Sequence, residues 1–142
     1  MDYRGLKKLG VFAWDERQKA FTQEVYHEGD AVLLAAARQA AASYRRGRVV
    51  EGTITTCDSW NCEVDRIAFL RESYGSLAEE MEGDAVAQVC QSFGVPFLDV
   101  RIISNSILRN QDPWDLGTGP VCQDFVLALL RAYWRQGHEA IG

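Results

Sequence analysis

Three short segments hold the side chains with chemical reach: Thr55-Thr56-Cys57-Asp58-Ser59-Trp60-Asn61, Glu80-Met81-Glu82-Gly83-Asp84-Ala85-Val86-Ala87-Gln88-Val89-Cys90, and Val95-Pro96-Phe97-Leu98-Asp99-Val100-Arg101-Ile102-Ile103-Ser104-Asn105. Glu82 falls where a strand gives way to a helix, and a helix N-terminus stabilises a carboxylate. A carboxylate there can accept hydrogen bonds from a pair of neighbouring hydroxyls, and Met81 beside it offers an apolar, polarisable face. The residue types alone favour a plainer alternative, in which Glu82 caps its own helix and Met81 fills core. Ser104-Asn105 ends a strand-like run, at the carboxyl edge where open α/β sheets bind ligands. Asn is also a common turn former after a strand. Arg101 has Glu80 and Asp99 as candidate ion-pair partners, as structural glue rather than as a substrate contact, and Asp58 has the backbone of its own turn. Cys57 has no histidine placed to activate it, which removes it as a nucleophile.

These segments need elements to hold them. Asp30 can cap a helix over 31–45, rich in Ala and Leu. Val49 to Thr56 is β-branched and reads as a strand, with Gly52 marking a bulge or a close backbone approach. Asn61 reads as the cap of a short helix with Glu63 and Asp65 in its first turn and Val64, Ile67, Ala68 and Phe69 as apolar surface. Leu77–Met81 is a short candidate strand. Ala85, Val86, Val89, Cys90 and Phe93 recur at helical spacing, Cys90 reads as core, and Gly94 ends that helix as a left-handed cap. Pro96 to Ser104 predicts a largely buried strand. Pro120 starts a final helix carrying Phe125, Val126, Leu129, Leu130, Tyr133 and Trp134, with Gly137 as its stop. Residues 1–29 scatter Phe12, Trp14, Phe21 and Tyr26 without a sustained period, the mark of a loop or short hairpin.

Strands alternating with helices predict an α/β class with some parallel sheet. Two good strands and one short candidate fall below the usual sheet of about 4–6 strands. Open edges of that kind invite pairing with another chain. The sheet is therefore expected to be completed by a partner.

The 142 residues carry a formal net charge of −5, with 47% hydrophobic and 25% charged side chains, ordinary values for one globular domain. Arg45, Arg46 and Arg48 form a small basic knot at a helix end, too narrow for a nucleic-acid surface. The first residues lack the apolar core of a signal peptide, and the Ala/Leu run from Ala31 to Ala37 is too short to span a membrane. Cys57, Cys62, Cys90 and Cys122 form no CxxC pair, and His27 and His138 fit no zinc spacing with them. No metal and no cofactor are expected, and reduced thiols in the cytoplasm are the default.

In order and spacing, the three segments resemble the nucleosidases that cleave methylthioadenosine and adenosylhomocysteine, and their relative futalosine hydrolase, in the purine nucleosidase/phosphorylase superfamily. That family runs Ser-Gly-Asp-x-Phe after a strand, then Glu-Met-Glu-Gly-Ala-Ala-x-Ala, then Val-Pro-Phe and Arg-x-x-Ser-Asp or Ser-Asn. The likeness is close over residues 49–135 and loose over residues 1–48, and the Glu80-Met81-Glu82-Gly83 block is its strongest part. It implies that Glu82 takes the ribose hydroxyls and Met81 packs beneath the sugar. Trp60 stands where the family stacks an aromatic on the purine, with a core or interface role as the other reading. Ser104 belongs to the base-binding end, and Asn105 stands where the methylthioadenosine enzymes carry an Asp that helps protonate N7. An amide cannot deliver that proton as an acid, but it can donate one hydrogen to N7 and the other to a 6-oxo group. That pattern favours hypoxanthine or guanine over adenine. Futalosine hydrolases follow Ser-Asn with an Arg and a Trp, which makes Arg109 and Trp114 further candidates. Cys57 departs from the family, which has Gly there.

The complete family fold also has an N-terminal part with the first strands, a Gly-rich site and a Glu that positions the attacking water, and no such Gly-rich strand-loop is present in these 142 residues. Residues 1–142 are thus expected to form a partial nucleoside phosphorylase-like domain, the C-terminal part of a three-layer α/β fold, with residues 1–29 loop-rich and 30–142 the α/β part. The expected activity is that of one subunit of a split purine nucleosidase acting on a purine nucleoside. A noncatalytic nucleoside-binding or stabilising subunit is the alternative, and self-association is the alternative to a distinct partner chain. Hydrolysis and phosphorolysis both stay open.

Overall fold

The computed structural model describes residues 11–15, 19–24, 26–109 and 117–139. Strands β1 (Val11–Asp15) and β2 (Ala20–Glu24) pair antiparallel as a hairpin. The chain then runs through α1 (Ala31–Ser43), β3 (Thr53–Thr56), α2 (Val64–Tyr74), β4 (Ser76–Glu80), α3 (Gly83–Ser92), a 3-10 turn at Ile107–Arg109, and α4 (Thr118–Glu139). Asp30 starts α1 as the sequence predicts, accepting from the backbone N–H of Val32 and Leu33, both at 2.9 Å. Its own N–H donates to the Phe97 carbonyl at 2.7 Å, which pins the entry of α1 to the segment after α3. Asp30→Ala is expected to lower stability by about 1 kcal/mol, read from the shift in the thermal unfolding midpoint.

Small residues let α1 and α4 approach closely. Ala36 and Ala40 are buried against Phe125, Leu129 and Ala132, with Leu33, Leu98 and Val100 packed on the rim. The Tyr44 ring meets Phe125 edge-on with centroids 5.3 Å apart, and its hydroxyl donates to the Val121 carbonyl at 2.8 Å. Among the described residues no large side chain is fully buried.

β3 and β4 pair in parallel, joined by α2, with Thr56 opposite Glu80. The Cys57 N–H carries the ladder one step further, to the Glu80 carbonyl at 2.9 Å. At the other end a Cβ on Gly52 would collide with the Leu77 side chain, and the register shifts between Thr53 and Ile54. The close approach signalled by Gly52 is therefore real, but β3 begins at Thr53, and Val49 and Val50 lie exposed before it. Gly75 and Gly94 follow their helices at φ 67° and 64°, the left-handed conformation that glycine adopts without strain.

The predicted strand over Pro96–Ser104 does not form. That segment is irregular and only partly buried, because neither two-stranded sheet takes it up on an open edge, and it is held instead by the Asp30 N–H on the Phe97 carbonyl and by Arg101 on the carboxylates at the sheet edge. Leu98 and Val100 still reach the core rim. Asn61 does not cap α2. Its Oδ1 accepts from the Glu63 N–H at 3.0 Å while its amide donates to Glu79 Oε2 at 3.0 Å, so it ties the loop to β4, and Glu63 takes the cap position without a side-chain capping bond. Cys90 is half-buried rather than core. α4 starts at Thr118, so Pro120 falls in the first turn where its missing N–H is no loss, and the helix continues through Gly137 to Glu139. No helix among the described residues is long and apolar enough to cross a membrane.

Candidate functional site

Parallel pairing sends the carboxyl ends of β3 and β4 to one edge, so Thr56 and Glu80 meet there, and the Glu80-Met81-Glu82-Gly83 turn into α3 begins at that point. Glu80 is the anchor. Its Oε1 accepts from the Thr56 hydroxyl, and its Oε2 accepts from the backbone N–H of Glu82 at 2.7 Å and of Gly83 at 2.6 Å. Arg101 Nη2 donates to the same Oε2 at 2.7 Å. Only 8% of the Glu80 side chain is exposed. Burial pushes its carboxyl up, but the bonds from Thr56, the two backbone N–H groups and Arg101 outweigh it and hold the pKa below the usual carboxylate value.

Thr56 works in both directions, because its Oγ1 also accepts from the Asp84 N–H at 2.9 Å. Gly83 is required here on steric grounds: a Cβ would stand 2.8 Å from Asp99 Oδ2 and 2.9 Å from Glu80 Oε1. Arg101 gathers three carboxylates, with Nε on Asp99 at 2.8 Å, Nη2 on Glu80 at 2.7 Å and Nη1 on Glu82 at 3.3 Å. Desolvation opposes its charge, and these partners more than offset that, so its pKa lies above the ordinary arginine value. Both ion-pair partners anticipated from sequence are engaged, and the guanidinium fixes the irregular segment after α3 to the sheet edge.

Glu82 occupies the N-cap position of α3, yet its side chain makes no capping bond. Glu80 serves the first N–H groups instead, and the Glu82 carboxylate stays 67% exposed. Met81 is 45% exposed and so does not fill core. Trp60, four residues beyond β3 at the same sheet edge, is 54% exposed. Ser104 Oγ donates to Asn105 Oδ1 at 3.0 Å, an arrangement that commits the amide oxygen and directs the NH₂ group elsewhere. Both residues follow Arg101 closely along the chain, which connects them to the edge. Arg109 closes the 3-10 turn, exposed, its N–H donating to the Ser106 carbonyl at 3.1 Å. Trp114 lies outside the described residues. The geometry thus ties Glu80, Glu82, Asp99 and Arg101 into one cluster, sets Met81 and Trp60 at the same edge, and joins Ser104 to Asn105.

The residues missed from sequence are Thr56 and Asp84. Their signal was positional: a hydroxyl ending one strand and a carboxylate in the first turn of the next helix. Cys57 is buried, and burial followed by the Glu79 carboxylate pushes its thiol up, which disfavours the thiolate. No group of three His, Cys, Asp or Glu side chains among the described residues is gathered to hold a metal ion.

A parallel strand pair joined by a helix, with carboxylates at its C-terminal edge, defines an α/β chain. The family model of the phosphorylase superfamily matches residues 5–131, and the chain belongs to that superfamily. It is 44% identical over 87 residues to the 5'-methylthioadenosine/S-adenosylhomocysteine nucleosidase of Shewanella halifaxensis, covering 61% of this chain and 37% of the relative. It is 40% identical over 108 residues to the enzyme of that name from Shewanella frigidimarina, covering 72% and 46%. Among solved structures it is similar to a futalosine hydrolase mutant of Helicobacter pylori, with a TM-score of 0.60, 27% identity, and coverage of 82% of this chain and 48% of that one. The chain spans less than half the length of these relatives.

Proposed function

We propose that this chain supplies the ribose- and base-contacting part of a purine nucleosidase that hydrolyses the N-glycosidic bond of a purine nucleoside. The observation that carries this reading is the division of labour at the turn into α3. Glu80 takes over the capping bonds, and Glu82 is left as a mostly exposed carboxylate at the helix N-terminus, with only a long contact to Arg101, placed to accept from a ribose diol. Met81 offers its apolar face to the sugar and Trp60 its indole to the base, with Arg109 and Trp114 as further contacts. The named activities of the similar nucleosidases and hydrolase favour hydrolysis over phosphorolysis. We place the chain in the cytoplasm, where thiols stay reduced.

Ser104 holding the Asn105 oxygen favours an Asn105 that donates two hydrogens, one to N7 and one to a 6-oxo group, and hence a 6-oxopurine. Asn105→Asp is expected to move the ratio of kcat/KM for 6-amino over 6-oxo nucleosides upward by about tenfold, roughly one lost or gained hydrogen bond. An unchanged ratio in that variant removes the base assignment.

Glu82 bound to the sugar hydroxyls is not available to activate water, so the general base comes from elsewhere. We place it on a partner chain that also completes the sheet; residues 1–142 then act as a partial domain. Support comes from apolar side chains left at the surface. Val86 and Val89 on α3 line up with Phe93 just past its end, Phe93 79% exposed, and Leu127, Leu130 and Trp134 line up along α4. Co-expression with a polypeptide carrying the N-terminal part of the superfamily fold, followed by assay of free purine over a nucleoside panel, tests the proposal. Base release by the pair alone supports it. Release by the isolated chain as a compact monomer overturns the partner, and a pair that binds nucleoside without releasing base points to a noncatalytic subunit.

A further inference from the structure

His27 lies far from the motif segments in sequence, and the fold brings it against α3. Its Nδ1 stands 2.9 Å from Gln91 Oε1. Its Nε2 is shut off from solvent and meets Asp84 Oδ1 at 3.1 Å. Only 12% of the side chain is exposed. Asp84 and Gln91 are about two helical turns apart on one face, so the imidazole spans α3 from its first turn to its last. Asp84 is held from two further sides. Its Oδ2 accepts from Gln88 Nε2 at 2.5 Å, and its N–H donates to Thr56 Oγ1, which in turn donates to Glu80. Glu80 carries the N–H groups of Glu82 and Gly83.

We infer that His27 is a positioning residue for Glu82. It presses on the first turn of α3 through Asp84, and the Thr56–Glu80 relay fixes the backbone from which the Glu82 carboxylate projects. Its contacts with Asp84 and Gln91 involve none of the groups assigned to the substrate, so its effect passes through the placement of Glu82 and spares the base-binding end. The inference rests on the ribose role proposed for Glu82. A side chain in the segment leading into α1 thereby sets the aim of a carboxylate at the sheet edge.

Two measurements test it. In the full chain, His27→Ala is expected to speed amide hydrogen exchange at Glu82, Gly83 and Asp84 by about tenfold while the core amides of α1 and α4 exchange as before. In the nucleoside-binding assembly, the same variant is expected to weaken inosine binding by about tenfold and leave hypoxanthine binding unchanged, and on a Glu82→Ala background to change inosine binding less than about twofold. A merely structural role would weaken nucleoside and base together and would add to the Glu82→Ala loss, and either result overturns the inference. Unaltered exchange at Glu82–Asp84 overturns it as well. A wild-type assembly that binds no nucleoside overturns the function proposed above, and the exchange result then decides the role of His27 by itself.

Discussion

Glu80→Ala is expected to destabilise the chain by about 2–3 kcal/mol, the range for removing one member of a largely buried, hydrogen-bonded charge cluster that keeps other partners for the remaining cation. The Glu80 side chain is nearly enclosed, and its loss strips an acceptor from the Thr56 hydroxyl and from the N–H groups of Glu82 and Gly83. Arg101 retains Asp99, which limits the damage. The pH dependence has a fixed sign. The folded carboxyl lies below the ordinary glutamate value of 4.5, so the unfolded chain binds the proton more readily. The stabilisation is therefore complete above the unfolded value and is lost as pH falls through the lower, folded one. Glu80→Gln removes this titration. Urea unfolding at a series of pH values below neutrality should show wild-type stability falling toward acid more steeply than that of Glu80→Gln, and parallel slopes would contradict the assignment.

The second large effect falls two residues away and is functional. Glu82→Ala should reduce kcat/KM for purine release by about 100- to 1,000-fold, corresponding to two charge-assisted hydrogen bonds to the ribose hydroxyls at about 1.5–2 kcal/mol each. Stability should change by no more than about 0.5 kcal/mol, as for other surface positions, because the carboxylate is mostly exposed and makes no capping bond. Binding of free purine base should be unaffected. The two glutamates flanking Met81 thus carry opposite signatures, one in unfolding and one in turnover, and the pair of variants separates them. A Glu82→Ala chain that unfolds early, or that turns over nucleoside normally, would return Glu82 to a structural role.

Much of the local structure was legible. Asp30 announced α1, Gly94 announced the left-handed end after α3, and the short run at Leu77–Met81 announced β4 within a residue of its observed span. These are local effects, in which a side chain acts on backbone groups a few residues away. The run from Pro96 to Ser104 misled because composition reports a β-branched, apolar segment but not whether a neighbouring strand stands ready to pair with it. Asn61 misled for a similar reason, since its amide goes to Glu79, a partner 18 residues along the chain.

The chain by itself determines which groups are available and in what order: a hydroxyl ending β3, a Glu-Met-Glu-Gly turn after β4, and an Arg followed by Ser-Asn. Glu80 and Glu82 are chemically identical and sit symmetrically about Met81, so nothing local shows which of them is buried and which stays exposed. Only the fold decides, by bringing Thr56 from 24 residues away and Arg101 from 21 residues away onto Glu80 and turning Glu82 outward. The same holds for His27 and Gln91, 64 residues apart in sequence and 2.9 Å apart in space. Charge, solvation and hydrogen bonding act over a few ångströms of space, and sequence distance does not measure that.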